Sequence, residues 1–138
     1  MTAREFLDQY RRAERIADRL QAEYEKELLQ IDAVKSVSDM DGMPHGTGIN
    51  KTTEDKAIRL ADKAMAWKTA KLEAIEIRQE VFETICDIPD IEGDVLYERY
   101  IHLRKWEEIC VRLNYSWHGI HSVHRRALSI VDGLINRA

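Results

Sequence analysis

Proline is nearly missing from this chain, with only Pro44 and Pro89 in 138 residues, and glycine is scarce, with six, three of them between 42 and 48. A backbone with so few breakers can sustain long helices, whereas a strand-rich fold needs turn residues at regular, short intervals. Cysteine is also scarce. Cys86 and Cys110 lie far apart, which excludes a disulfide framework or a four-cysteine zinc site; both fall at apolar positions of a helical pattern and are expected to be buried free thiols. No apolar run approaches the roughly 18–20 residues that span a bilayer, and the charged start MTAREFLDQYRR lacks the apolar segment of a signal peptide. No membrane association and a cytoplasmic location are therefore expected.

What the chain has in abundance is charge. One third of its residues are charged and 44% are apolar, a balance that suits an all-α fold of one domain, or of a small domain carrying an elongated extension. The net charge of −4 is unevenly placed. Residues 1–94 carry 14 Lys+Arg against 21 Asp+Glu, a net of −7, while residues 95–138 carry 7 against 4, a net of +3. A small basic end on an acidic body is the layout of a nucleic-acid-binding head on a solvated arm.

Residues 3–34 set Ala3, Phe6, Tyr10, Ala13, Ala17, Leu20, Tyr24, Leu28, Ile31 and Val34 three and four apart, which predicts a long amphipathic helix of about 30 residues. Thr2 and Glu5 form a capping box at its start. A loop is expected over residues 38–51, where SDMDGMPHGTGIN gathers turn formers; Asp39, Asp41 and His45 there read as a flexible polar cluster. A second helix follows from near Thr52 or Thr53, with an apolar seam through Ile58, Ala61, Met65, Leu72, Ile75, Phe82 and Ile85, interrupted by Lys68 and Gln79. Seam residues such as Phe6, Tyr24, Met65 and Phe82 are expected as helix–helix core, and Trp67, off the seam, as a second contact surface. Two such helices fold back as an antiparallel hairpin, because neither can bury its stripe alone, and the arm can also pair with a second copy. This arm covers residues 1–88.

Pro89 separates the arm from a head of three short helices over residues 94–138. Asp94 is expected to cap the first, which runs to Leu103 or Arg104; Lys105–Leu113 forms the second, and Ser116 caps a third that reaches about Ile135. Ile109 and Leu113 precede the turn residues Asn114 and Tyr115, and Asn114 stands where a left-handed backbone is needed. Ile120, Val123 and either Ala127 or Leu128 then face inward, leaving the N-terminal outward residues of the third helix to meet a major groove.

These residues carry a resemblance. Glu107 and Glu108, Ile109, Leu113, Ser116, Ile120, Val123, and Ala127 with Leu128 resemble the helix-turn-helix of region four in bacterial primary sigma factors, which reads the −35 element of promoters. The preceding LYERYI is similar to the helix that packs across that motif. By layout, the whole chain resembles small sigma-like regulators of phages and prophages of Gram-positive bacteria, related to the ArpU and RinA groups of late-gene activators. The resemblance implies a bacterial host cytoplasm, double-stranded DNA as partner, a recognition helix over about 116–131, and RNA polymerase as a further partner. Carried over position by position, the contacting residues are Trp117, His118, His121, Ser122, Arg125 and Arg126. Sigma factors place Arg and Glu where this chain has Trp117 and His118, so their promoter preference does not transfer.

The side chains suit that role on chemical grounds. Lys105, Arg112, Arg125 and Arg126 can neutralise phosphates; Ser116, His118, His121 and Ser122 can donate to backbone or base edges, and Trp117 can pack on sugar or a thymine methyl. Trp106 reads as core, and Trp117 reads equally well as a core or interface aromatic. His118, His121 and His124 recur every three residues, yet 118 and 124 lie roughly 120° apart around a helix, so at most one pair could share an ion; no metal and no cofactor are expected, and His124 is placed on the flank of the recognition helix. No phosphate loop, HExxH or nucleophile elbow occurs, and the many carboxylates read as solvated helix faces, so an enzyme is not expected. Two alternatives stand beside a transcriptional regulator: a small terminase subunit, and a sigma-mimicking module that binds polymerase without reading DNA.

Overall fold

The computed structural model describes the backbone of residues 1–40 and 48–137 and the side chains of 1–32 and 53–137. The described chain is all-helical: α1 spans Ala3–Met40, α2 Gly48–Ile85, α3 Asp90–Leu96, α4 Trp106–Leu113 and α5 Trp117–Ile135, with a π-helical turn over Tyr97–Ile101 that continues α3 directly. Residues 41–47, half of the expected loop, with Asp41 and His45, lie outside the described residues. On either side, 38–40 and 48–51 are helical, so both long helices extend further than their sequence punctuation suggested. Helix-poor residues such as Ser38, Asp39 and Gly48 cost at most about 1 kcal/mol each, too little to stop a helix already nucleated.

Two compact units are present, Met1–Ala13 with Glu73–Ala138, and Glu14–Leu72. This partition falls inside both long helices, whereas the proline at 89 lies within the first unit. The physical reason is the core. Ala3, Phe6 and Leu7 of α1 and Val81 and Ile85 of α2 are buried together with Ile88, Leu96, Tyr100, Ile101, Ala127 and Val131. A second cluster joins Val95, Ile109, Ile120 and Val123, with Trp106, Cys110 and Leu113 packed against it. Helix α5 is thus held at both ends of its inner face, by Ile120 and Val123 in one cluster and by Ala127 and Val131 in the other.

The first turn of α1 is closed twice. The Thr2 amide donates to Glu5 Oε2 at 3.1 Å and the Glu5 amide to Thr2 Oγ1 at 3.2 Å, the reciprocal bonds of a capping box. The Ala3 amide donates to Asp132 Oδ1 of α5 at 2.8 Å, so a carboxylate from a distant helix meets the positive end of the α1 dipole.

The chain between α2 and α4 departs from expectation. Helix α3 begins at Asp90 behind Pro89, one turn earlier than a cap at Asp94 would allow. Proline suits a position just ahead of a helix, where its missing N–H costs nothing. Gly93 is required here, because a Cβ would overlap the Ile88 carbonyl oxygen. Buried side chains then come in pairs five residues apart, Val95 with Leu96 and Tyr100 with Ile101. An α-helix would turn the second pair away from the first, and the π turn, with its i to i+5 bonds, returns it to the core. The buried Glu98 of this turn accepts a hydrogen bond from Arg104 Nε and forms an ion pair with Arg112, whose Nε lies 3.3 Å away. The helix ends at Ile101, and Leu103 reverses the chain at φ 54°, a backbone region that leucine rarely adopts.

In the second unit the segments of α1 and α2 run antiparallel, since partner numbers fall as their opposites rise: Glu14 pairs with Lys71, Tyr24 with Trp67 and Glu27 with Lys63. The α1 stripe faces inward as expected, with Ala17 buried and Leu20, Tyr24, Leu28 and Ile31 half-buried. On α2 the expected seam is corrected. Ile58, Met65 and Leu72 are exposed, Met65 at 71% and Leu72 at 63%, as is Ile75 in the first unit. The inward face is instead Leu60, Ala64, Trp67 and Ala70. Both stripes have helical period, and Trp67 decides between them: its ring packs at 6.2 Å from Tyr24, a contact that turns the Met65 side outward. The indole N–H finds no acceptor among the described residues, a cost that this unit carries.

Two further expectations are corrected by burial. Cys86 is exposed, because α2 ends at Ile85 and no helix face carries the thiol inward; Cys110 is partly buried. His124 is buried among core residues, not placed on a flank.

Candidate functional site

Helices α4 and α5 meet through the shortest connection among the described helices of the head. Lys105 stands at the N-cap of α4, and Asn114 closes that helix at φ 57°, ψ 50°, the left-handed conformation expected of it. The Tyr115 amide then donates to the Cys110 carbonyl at 3.0 Å, the six-to-one bond of a Schellman ending. Ser116 caps α5, its Oγ accepting the Gly119 amide at 3.0 Å. The turn leaves the first residues of α5 in the open while Ile120, Val123, Ala127 and Val131 are buried on its other side.

The outward face is continuous. His118 is exposed, Ser122 lies one turn on, and Arg125 and Ser129 follow at the same helical spacing. Ser122 Oγ donates to the His118 carbonyl at 3.2 Å and accepts from Arg125 at 3.1 Å, which holds that guanidinium along the face. Trp117 opens the helix with 54% of its surface exposed.

Not all the candidate cations are equally available. Arg126 donates to Glu92 of α3 at 3.2 Å, and the Glu92 carboxyl is held below its ordinary range by a backbone amide first and by that guanidinium second. Arg112 is engaged with Glu98. Lys105 and Arg125 make no ion pair among the described residues. The site therefore brings together Ser116, Trp117, His118, Ser122 and Arg125 on one surface, and leaves Arg112 and Arg126 at its edges, already neutralised.

The three histidines have three different fates. His118 is in solvent. His121 lies between two indoles, 4.6 Å from Trp117 and 4.7 Å from Trp106. His124 is buried: Trp106 meets its ring edge-on at 4.7 Å, Tyr100 stacks at 5.8 Å, and the Tyr100 hydroxyl and His124 Nε2 share a 2.7 Å hydrogen bond. Arg99 covers Trp106 at 4.8 Å. Burial depresses His124 to about 4, with further contributions from Arg4, His121 and Arg99, while burial pushes Tyr100 up. An aromatic column thus runs from exposed Trp117 through His121, Trp106 and His124 to Tyr100 in the core.

Sequence reasoning missed this column because its members come from the π turn, α4 and α5, and their coming together depends on an extra residue in the turn that periodicity does not register. It also passed over Val111, 82% exposed, and the outward ring of Tyr115, 40% exposed, beside the start of α5. A large apolar residue at an outward position of a short helix was the available signal. Among the described residues no group of His, Cys, Asp and Glu could hold a metal ion, and no helix is long and apolar enough to cross a membrane. No family model, no curated protein and no solved structure matches the chain.

Proposed function

We propose that this chain is a sequence-specific DNA-binding transcriptional regulator of the sigma-like phage and prophage type, with α4 and α5 as its helix-turn-helix and α5 as the recognition helix. One observation carries the reading: Trp117, His118, Ser122 and Arg125 form one outward surface at the start of α5, whose opposite face is fully buried. A helix fixed in this way offers base-reading side chains at its N-terminal end, and Arg125 with Lys105 supplies phosphate contacts. RNA polymerase is the further partner of such a regulator.

A protein-docking role for the same surface, with polymerase bound and DNA unread, is favoured by one feature. Arg112 and Arg126 are already paired with Glu98 and Glu92, which leaves few free cations for phosphates.

Enrichment of duplexes from a random-sequence pool, followed by salt titration of the affinity, separates the two. On the DNA reading a sequence is enriched, and Arg125→Ala lowers the slope of log Kd against log salt by about 0.9, the value for one phosphate contact. Arg126→Ala changes it less, because the wild-type guanidinium must first leave Glu92. No enrichment, or binding indifferent to salt and to both substitutions, overturns the DNA reading.

A further inference from the structure

The exposed end of the aromatic column lies at the position from which a recognition helix meets base edges, and it is an indole. Trp117 is the first residue of α5, and its ring is packed edge-on against His121 at 4.6 Å. His121 is backed by Trp106 at 4.7 Å, and Trp106 is covered by Arg99 and packed on His124, which Tyr100 holds by a hydrogen bond in the core. A surface tryptophan would ordinarily sample several rotamers and lose that freedom on binding. Here the ring leans on a chain of contacts that ends in buried side chains, so much of that ordering is complete before any ligand arrives.

The chemistry of the exposed part narrows what it can recognise. An indole offers a broad apolar surface and a single N–H donor, with no acceptor. In the major groove of a duplex, where bases stay stacked and only their edges are presented, the apolar feature is the C5-methyl group of thymine. Polar readers of guanine or adenine use paired donors and acceptors, which Trp117 lacks.

Resting on the DNA-binding reading, we infer that Trp117 is a specificity-determining residue that reads a pyrimidine C5-methyl group through apolar contact, and that Trp106 is its positioning residue, acting through His121. This also assigns a role to the departure from the sigma pattern at 117, since replacing a charged side chain by an indole exchanges polar readout for methyl readout. Packing of the ring on deoxyribose is the competing use, and it would be blind to the methyl group.

The test uses the full chain and the duplex enriched from the random pool, with thymines replaced by uracil one at a time, which removes the methyl group and nothing else. At one or two positions the affinity should fall about fourfold, the effect of losing one buried methyl-sized group. Placing 5-methylcytosine opposite guanine at those positions should bind better than cytosine by a similar factor. Trp117→Ala should still bind the duplex but no longer distinguish thymine from uracil. Trp106→Phe should narrow the thymine-to-uracil ratio while leaving the salt slope unchanged, a pattern that general loss of folding would not produce. An enriched duplex that lacks thymine, or whose affinity survives every exchange to uracil, overturns this inference alone. A pool that yields no enriched duplex overturns the DNA reading and this inference with it.

Discussion

The two compact units are built from the same two long helices, yet they are stabilised by different forces. In Met1–Ala13 with Glu73–Ala138, side chains such as Leu7, Val81, Leu96, Ile109, Ile120 and Val131 are wholly removed from water. In Glu14–Leu72 the only fully buried apolar residue among those described is Ala17; ion pairs such as Lys63 with Glu27 and Lys71 with Glu14, and the Tyr24–Trp67 contact, do the rest. Apolar burial contributes about 25 cal/mol per Å² without regard to salt, while partly exposed ion pairs contribute roughly 0–1 kcal/mol each and are screened. The difference teaches where rigidity is placed: around the proposed recognition helix.

The largest effect that would break this contrast is a cavity. Ile120→Ala, at 0% exposure under α5, should cost about 2–5 kcal/mol, whereas Leu72→Ala, exposed in the other unit, should stay within about 0.5 kcal/mol. Denaturant unfolding of both variants checks this, and equal losses would show that the second unit shares the first one's core-dependence.

Next in size is a pH effect confined to the first unit. His124 is depressed to about 4 in the fold by burial, against about 6.5 unfolded. The unfolded chain therefore takes up a proton first as pH falls. The stability from keeping this ring neutral is fully present above about 6.5 and is lost progressively down to about 4, by at most about 3 kcal/mol. His124→Leu should flatten that part of the wild-type stability profile; a profile of unchanged slope in the variant would assign the loss to the carboxylates instead.

The smallest effect belongs to the second unit. Lys63→Ala should cost less than about 1 kcal/mol, and the cost should shrink further in high salt, because Glu27 and Glu23 lose a partner that was only partly shielded from water. Amide hydrogen exchange along residues 14–32 and 53–72 at low and high salt measures it. A loss insensitive to salt would place this unit under the same apolar control as the first.

Much of the architecture was legible before folding. The α1 stripe, the capping box of Thr2 and Glu5, the limits of α4 and α5, the left-handed Asn114 and the Ser116 cap all rest on interactions within one or two helical turns, which residue order alone determines. Burial of Ile120, Val123 and Ala127 was equally readable, because α5 has one apolar face and one polar face, and that of Ile109 because it stands four residues before Leu113 on α4.

The α2 seam was not readable in the same way. Two stripes of the same period run along that helix, one through Ile58, Met65 and Leu72 and the other through Leu60, Trp67 and Ala74, and composition ranks the first as more apolar. The choice between them needs the opposing helix: Tyr24 and the carboxylates Glu14 and Glu27 of α1 select Trp67, Lys71 and Lys63. The histidines pose the same problem on a smaller scale. Three residues of spacing turn His118, His121 and His124 by roughly 60° each around α5, from the outward face toward the inner one, and the positions of Trp106, Trp117 and Tyr100 then set the second between two indoles and hold the third in the core.

By itself, then, residue order determined what depends on neighbours along the chain: an all-helical backbone, the caps, the left-handed turn and the outward face at the start of α5. Tertiary structure alone decided which of two equivalent helical faces is buried, that α3 admits an extra residue in a π turn, and that Trp117 rests on a column reaching Tyr100. Periodicity gives the angle between side chains on one helix but not the identity of the helix they meet, and burial, pKa and ring packing are all set by that second helix.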